Sequence, residues 1–332
     1  MASIKDVAES AGVSTATVSR VLSDKPHVRP EIRERVMAAV DALSYRPNRV
    51  ARSLRVQKTN IIGLIVSDIR NPFFTSVSRA VEDMAYENGL NLFLCNADEN
   101  PQKEAMYLEL MHDENVAGVI LSPTRQTADN FKQAVKLGVP LVVIDRQVRG
   151  AEVDSVLIDN EASAARLVDH LIADGHRRIG ALFGVGSTTG RERREGYLKS
   201  LKSHGLKPEP TLFSYVNARE EEGYQATRKL LSLPDRPDAI FTSNAQLSAG
   251  AFKALRESNL VIPDEIAFAS FDETTWTSLV RPGITVIEQP TYEIGQLATD
   301  LLLERIENPA RPTREIILKG KLIVRQSCGH HG

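Results

Sequence analysis

The 332-residue sequence predicts a small all-α helix-turn-helix domain followed by an α/β body of two similar, doubly wound parallel-sheet lobes. Three observations lead there. Residues 1–60 carry short helical repeats of apolar residues around a glycine turn, with 11 Lys/Arg against 6 Asp/Glu. From Ile61 onward, short apolar runs alternate with amphipathic helical stretches, the pattern of parallel sheets covered by helices. That alternation continues long enough to build the motif twice.

The elements follow in order. Ser3-Ile4-Lys5-Asp6 has the form of a capping box, in which two side chains satisfy free amides at a helix start. Ile4, Val7, Ala8 and Ala11 then recur at helical spacing as one apolar stripe. Gly12 ends that helix and supplies a tight turn, and Ser14 can cap a second helix from Thr15 to Leu22 with Val18, Val21 and Leu22 facing inward. The outward face carries Thr15, Ala16, Thr17, Ser19 and Arg20. These are short polar groups, one methyl and one long cation, suited to base edges and flanking phosphates in a major groove. Pro30 opens a third helix lined by Ile32, Val36, Val40 and Leu43. Two helices joined by a glycine turn, with a third closing the core, make a helix-turn-helix, although periodicity alone would equally suit a small helical domain for protein contacts. Asn48 to Val56 is basic and too short to be a stable isolated helix, which fits a linker ordered by its partner.

In the body the expected strands are Ile61–Ser67, Leu90–Cys95, Gly118–Leu121 and Leu141–Ile144, then Ile179–Phe183, Leu212–Val216, Ala239–Thr242 and Ile266–Ser270. Ligands of open α/β sheets bind beyond the carboxyl ends of their strands. Polar residues cluster at those ends: Ser67-Asp68-Ile69-Arg70-Asn71-Pro72-Phe73-Phe74, Asp145-Arg146, Arg191 and Arg193, Ser243-Asn244, Phe271-Asp272 and Glu288-Gln289-Pro290. Any one of these is ordinarily a solvated strand end. Together they supply carboxylates, guanidiniums, amides and an aromatic pair to one cleft, the mixture a polyol needs.

Composition bounds the function. Hydrophobic residues are 42% and charged residues 25%, ordinary for a soluble globular protein. The net charge of −2 divides into +5 over residues 1–60 and −7 over the rest, so a basic head drawn to a polyanion precedes an acidic body. Cys95 and Cys328 make no disulfide framework, which favours a reducing compartment. MASIKDVAES places polar residues where a secretory signal needs an apolar run, and no stretch approaches a membrane span. The expected location is the cytoplasm, with no membrane partner.

The strings Ile4-Lys5-Asp6-Val7-Ala8, Ala11-Gly12-Val13-Ser14 and Thr17-Val18-Ser19-Arg20-Val21-Leu22 resemble the signature of the lactose/galactose repressor (LacI/GalR) family. Tyr45-Arg46-Pro47-Asn48 followed by Ala51-Arg52-Ser53-Leu54 resembles it too, and the likeness runs over the whole chain. It implies a DNA-binding transcriptional regulator, most simply a repressor of carbohydrate catabolic genes, whose affinity for operator DNA a sugar changes. Thr15, Ala16 and Arg20 would read bases, and Leu54 would be a wedge in the minor groove. Ser14, Thr17, Ser19, His27, Asn48 and Ala51 complete the implied DNA-contacting set. The implied domains are 1–47 for the DNA reader, 48–60 for a hinge helix, and 61–332 for effector binding and dimerisation. Within the last, one lobe takes about 61–160 and 291–320, the other about 161–290 and 321–332.

The body is similar to periplasmic sugar-binding proteins of the ribose-binding branch, so its fold is expected to be periplasmic-binding-protein-like. Asn71, Phe73, Phe74, Asp145, Arg146, Arg193, Asn244, Asp272 and Gln289 match ligand positions there, with Arg191 as added positive charge and Trp276 as a wall. Ala245 and Ala218 depart from the pattern, standing where an Asp and a stacking aromatic are common, which counts against a nucleobase or close ribose mimic. The implied effector is a monosaccharide, with sugar acids such as a gluconate open. The partners are double-stranded, pseudo-palindromic operator DNA and a second copy of the chain, because one small reading head needs a twin for affinity and register.

Enzymatic readings fare worse. Gly184-Val185-Gly186-Ser187-Thr188-Thr189-Gly190 follows a strand as a dinucleotide turn would, but its spacing is G-x-G-x-x-x-G, and no nucleophile elbow or H-E-x-x-H is present. The seven histidines are scattered. The expectation is no catalytic residue, no metal and no cofactor.

Overall fold

The computed structural model describes residues 2–22, 26, 28–45, 59–124, 135, 137–148 and 150–329. The chain forms two compact units, Met1–Thr59 and Asn60–Gly332.

In the first unit α1 (Ile4–Ser10) begins with the capping box: the Ser3 amide donates to Asp6 Oδ2 at 2.7 Å and the Asp6 amide to Ser3 Oγ at 3.4 Å. Gly12, with φ +60, turns the chain into α2 (Thr15–Leu22), and α3 (Pro30–Ala42) follows with proline in its first turn. Val7, Ala8, Ala11, Val18, Val21, Val36 and Ala39 close one core. Arg35 of α3 donates to the Ala11 carbonyl at 2.6 Å, so one cation of the basic head secures the turn between α1 and α2.

The second unit is two six-stranded sheets. In chain order it runs β1 (Ile61–Val66), α4 (Pro72–Glu87), β2 (Asn91–Asn96), α5 (Pro101–Asp113), β3 (Gly118–Leu121), β4 (Leu141–Ile144), β5 (Asp154–Ile158) and α6 (Asn160–Ala173). Then come β6 (Ile179–Gly184), α7 (Thr188–Ser203), β7 (Phe213–Val216), α8 (Glu220–Leu231), β8 (Ala239–Thr242), α9 (Ala245–Glu257), β9 (Ala267–Phe271) and the short α10 (Thr275–Leu279). The chain ends with β10 (Thr285–Glu288), α11 (Thr291–Glu307), β11 (Glu315–Leu318) and β12 (Lys321–Ile323). The strand orders are β11-β5-β4-β3-β1-β2 and β12-β10-β9-β8-β6-β7, so the two lobes repeat one topology. The chain crosses between sheets after β5, β10 and β11.

Continuous apolar strands are buried on both faces, as parallel sheets require. Ile62, Leu64 and Val66 pack under α4 and α11, while Ile65 on the opposite face meets Leu108 and Met111 of α5. In the second lobe Phe183 meets α6 and α7, and Leu182 meets α8 and α9. Each fully buried side chain of this kind contributes about 1.5–3 kcal/mol.

Four strands lie outside the expected set. β10 is a four-residue run buried except at Glu288, β5 begins with the charged Asp154, and β11 and β12 mix exposed with half-buried residues. Their partners are distant in sequence: β5 pairs parallel with β11 (Ser155 with Glu315), and β12 pairs antiparallel with β10 (Ile323 with Val286).

Candidate functional site

The chemistry of the first unit is on α2. Buried Val18 and Val21 fix its rotation, leaving Ser14, Thr15, Ala16 and Arg20 exposed and Thr17 and Ser19 half-buried. Thr17 is partly engaged, its amide and hydroxyl both meeting Ser14 Oγ at 3.2 and 3.0 Å. The exposed stripe presents two hydroxyls, a methyl and a guanidinium. His27, Asn48, Ala51 and Leu54 lie outside the described residues.

In the body a cavity of about 390 Å³ opens at the carboxyl ends of the strands of both sheets. Asp145 and Asp272 stand one residue beyond β4 and β9, strands that hold the same place in their sheets. Both are left-handed, with φ +67 and +75, a conformation that costs a non-glycine residue about 1–3 kcal/mol and persists where surrounding structure enforces it. Each lobe thus aims one carboxylate into the cleft by the same backbone device. Asp272 Oδ2 accepts from the Ala245 amide at 3.0 Å, and its Oδ1 from Gln289 Nε2 at 2.5 Å. The Asp145 side chain is only 9% exposed, and burial pushes its carboxyl above the usual range against the pull of Arg146 and Arg193.

Arg193 occupies the floor. Its Nε donates to Asn160 Oδ1 at 2.8 Å and one Nη to the Ser243 carbonyl at 2.6 Å, and its guanidinium lies 3.9 Å from the centre of the Phe271 ring. The other Nη makes no hydrogen bond among the described residues, so it is available to a ligand. Burial lowers the pKa of this arginine, while the Asp272 and Asp145 carboxylates hold it up.

Asn71 and Asn244 cap α4 and α9, their Oδ1 atoms accepting from the Phe73 amide at 3.1 Å and the Leu247 amide at 2.9 Å. Their Nδ2 groups remain for the cavity that both residues line. Phe73 and Phe74 stand edge to face, 4.9 Å between ring centres, and give the cavity its apolar wall. Gln289 is 6% exposed, and its buried Oε1 has no protein partner among the described residues.

The cavity therefore brings together Asn71, Phe73, Phe74, Asp145, Arg146, Arg193, Asn244, Asp272 and Gln289, nine of the eleven expected effector residues. Arg191 and Trp276 are not among its walls. Arg191 is exposed because α7 turns Thr189, Gly190 and Arg193 inward, and a residue two positions from Arg193 projects to the opposite side of the helix. Trp276 packs on Phe252 at 5.2 Å between ring centres and against the core of the second lobe. It borders a neighbouring depression that shares Phe73, Asp272 and Gln289 with the cavity.

The structure adds residues the sequence reading passed over. Glu99 forks Arg146, with Nη1 donating to Oε2 at 2.9 Å and Nη2 to Oε1. Gln246 Nε2 donates across the cleft to the Arg70 carbonyl at 2.7 Å. Asp98 and Glu99 follow a strand, so the rule that selected the other strand ends would also have found them. Nothing local marks Gln246. In the glycine-rich loop, Ser187 caps α7, and a Cβ at Gly190 would overlap the Gly184 carbonyl; the small residues serve helix-on-strand contact. Among the described residues no group of three His, Cys, Asp or Glu could hold a metal ion, and no helix is long and apolar enough to cross a membrane.

A three-helix DNA-reading fold and a two-lobed body with a polar interlobe cavity define a class: a DNA-binding regulator controlled by a small molecule. Residues 3–48 match the family model described as bacterial regulatory proteins, lacI family. Residues 59–326 match that of periplasmic binding proteins and the sugar binding domain of the LacI family. The chain belongs to the LacI family of transcriptional repressors and, like its relatives, is a regulator and not an enzyme. It is 35% identical over 328 residues to the ribose operon repressor of Halalkalibacterium halodurans, covering 98% of this chain and 97% of that one. It is 33% identical over 330 residues to the HTH-type transcriptional repressor PurR of Mannheimia succiniciproducens, covering 98% of each. Among solved structures, the lac repressor dimer bound to operator and the anti-inducer ONPF superposes with a TM-score of 0.87 at 27% identity, over 99% of both chains.

Proposed function

We propose that this repressor controls genes of carbohydrate use, and that a neutral monosaccharide bound between the lobes changes its affinity for a pseudo-palindromic operator read by a homodimer in the cytoplasm. The observation that carries the reading is the pair of left-handed carboxylates, Asp145 and Asp272, facing one cavity with Arg193 and the amides of Asn71, Asn244 and Gln289. Fixed acceptors and donors around an aromatic wall suit hydroxyls on one side and C–H surfaces on the other. Each hydroxyl that fails to arrive leaves a buried partner unpaired, at about 1–3 kcal/mol, which makes the site selective.

Charge favours a neutral sugar over a sugar acid. The cavity is walled by Asp68, Asp98, Glu99, Asp145, Glu222 and Asp272 against Arg146, Arg193 and Arg219. Ala218 leaves open a wall where a flat base would need an aromatic face. The ribose operon repressor among the relatives puts pentoses first in a screen.

On the DNA side, Thr15, Ala16 and Arg20 are the base-reading residues of this proposal, with Ser14, Thr17 and Ser19 beside them. The coupling is reciprocal: operator DNA changes sugar affinity by the factor by which sugar changes operator affinity. The test pairs a thermal-shift screen of pentoses, hexoses, sugar acids and nucleobases with fluorescence anisotropy on the DNA upstream of the gene. A stabilising neutral sugar that also alters DNA affinity supports the proposal. A nucleobase as the only stabilising compound overturns the effector assignment, and failure to bind any duplex overturns the DNA assignment.

A further inference from the structure

Arg146 is one of the cavity's three guanidiniums, yet its donors face inward. Glu99 takes both terminal nitrogens in a fork, the Pro123 carbonyl accepts from Nη1 at 2.9 Å, and Asp145 Oδ2 lies 3.3 Å from Nε. The side chains of Arg146 and Glu99 are 10% and 21% exposed, so water screens their charges little. Beneath them Glu104 is fully buried, one oxygen accepting from the Thr124 amide at 2.5 Å and the other without a partner among the described residues. Three carboxylates therefore surround one guanidinium.

The turn that delivers Glu99 is strained. Asp98 and Glu99 are consecutive non-glycine residues with φ +54 and +56. It is held by the Glu99 amide donating to the Ser67 carbonyl at 2.7 Å, and by Arg70 bonding Asp98 at 2.5 Å. The fold itself does not require this. The topologically equivalent strand of the second lobe, β7, runs into Asn217-Ala218-Arg219, with no carboxylate and no left-handed residue.

We infer that Glu99 sets the charge of the ligand this cavity admits: by occupying Arg146 it withholds a guanidinium that would otherwise pair with a carboxylate, and so turns sugar acids away. This deepens the neutral-sugar reading above and rests on it. Arg193 keeps one Nη for a ligand, but the Asp145 and Asp272 carboxylates already act on its charge, which makes it a poorer partner for an anion than for a hydroxyl.

The test is titration calorimetry on the full chain with matched pairs: D-ribose and D-ribonate, D-glucose and D-glucuronate, D-galactose and D-galacturonate. The wild type should bind the neutral member of at least one pair, with its acid at least about tenfold weaker, a difference of one 1.4 kcal/mol step. In Glu99→Gln the acid should gain tenfold or more relative to its neutral partner, and adding Arg146→Gln should abolish the gain. Glu99→Ala is the second uncharged variant, and a melting curve shows that whichever is used is folded. If both members weaken equally and their ratio stands still, Glu99 merely positions Arg146 and the inference is overturned. A wild type that prefers the acid, or binds no sugar of the set, refutes the neutral-sugar reading before any variant is made.

Discussion

Asp154 opens β5 with its carboxylate fully buried, in a place where an unpaired charge would be intolerable. It accepts from Arg305 Nε at 2.9 Å, from both terminal nitrogens of Arg311 at 3.0 Å, and from the Arg314 amide at 2.9 Å. The two arginine side chains are 13% and 8% exposed, so neither can swing into water without disturbing the turn between α11 and β11. Replacing Asp154 with alanine leaves two nearly buried guanidiniums facing a void. Breaking a buried pair from one side costs about 3–5 kcal/mol. For a unit somewhat larger than 250 residues each kcal/mol lowers Tm by about 2–4 °C, which gives a fall of roughly 6–20 °C. Asp154→Asn retains the oxygen that meets Arg314 but not the charge, and should fall in the same range. Calorimetric melts at one protein concentration measure this, since a dimer's Tm depends on concentration. A loss below about 1 kcal/mol in both variants would refute the view that this ion cluster fastens β11 to β5.

Arg193→Lys keeps a charge but loses the guanidinium's planar fork and its contact with Phe271, so sugar affinity should drop by roughly 10²-fold, at about 1.5–3 kcal/mol per charged hydrogen bond. Sugar-free operator affinity should hold, and calorimetry paired with anisotropy separates the two. Arg20→Ala should cost about 1–3 kcal/mol on operator DNA and narrow its preference over unrelated duplex, as loss of a base contact does, with sugar affinity unchanged. Equal weakening on both duplexes, with a salt slope lower by about 0.9, would mean that Arg20 meets a phosphate instead. Burial raises the Glu104 carboxyl above its usual range, outweighing the Thr124 hydrogen bonds and the pull of Arg146. For an acid raised on folding, the unfolded chain loses its proton first, so its contribution is complete below the unfolded value and is lost as pH rises through the folded one. Glu104→Gln should therefore melt higher relative to wild type at pH 7 than at pH 4; a difference independent of pH would contradict this.

Eight strands were legible as short apolar runs: six because burial on both faces makes the run continuous, and the edge strands β2 and β7 although they stay partly exposed. Asp154–Ile158, Thr285–Glu288, Glu315–Leu318 and Lys321–Ile323 were not, since each is short and carries polar residues, and each pairs with a strand far along the chain. The strand-end rule found nine walls of the cavity, because topology places such loops together. Arg191 from that rule, and Trp276 taken as a wall beside the likeness to sugar-binding proteins, do not line the cavity, since their directions depend on how α7 and α10 are rotated against the sheet. The net charge of +5 over residues 1–60 includes Arg35, although that guanidinium holds the turn at Ala11.

The order of residues by itself determined the helix-turn-helix, the doubled α/β lobes and the ends of the strands where a ligand belongs, because caps, turns and apolar periodicity act between neighbours. Only the tertiary structure decided which charges cancel: Glu99 against Arg146, and Asp154 against Arg305 and Arg311. Coulomb energy depends on separation in space and on the water between two groups, and neither quantity is written in their separation along the chain.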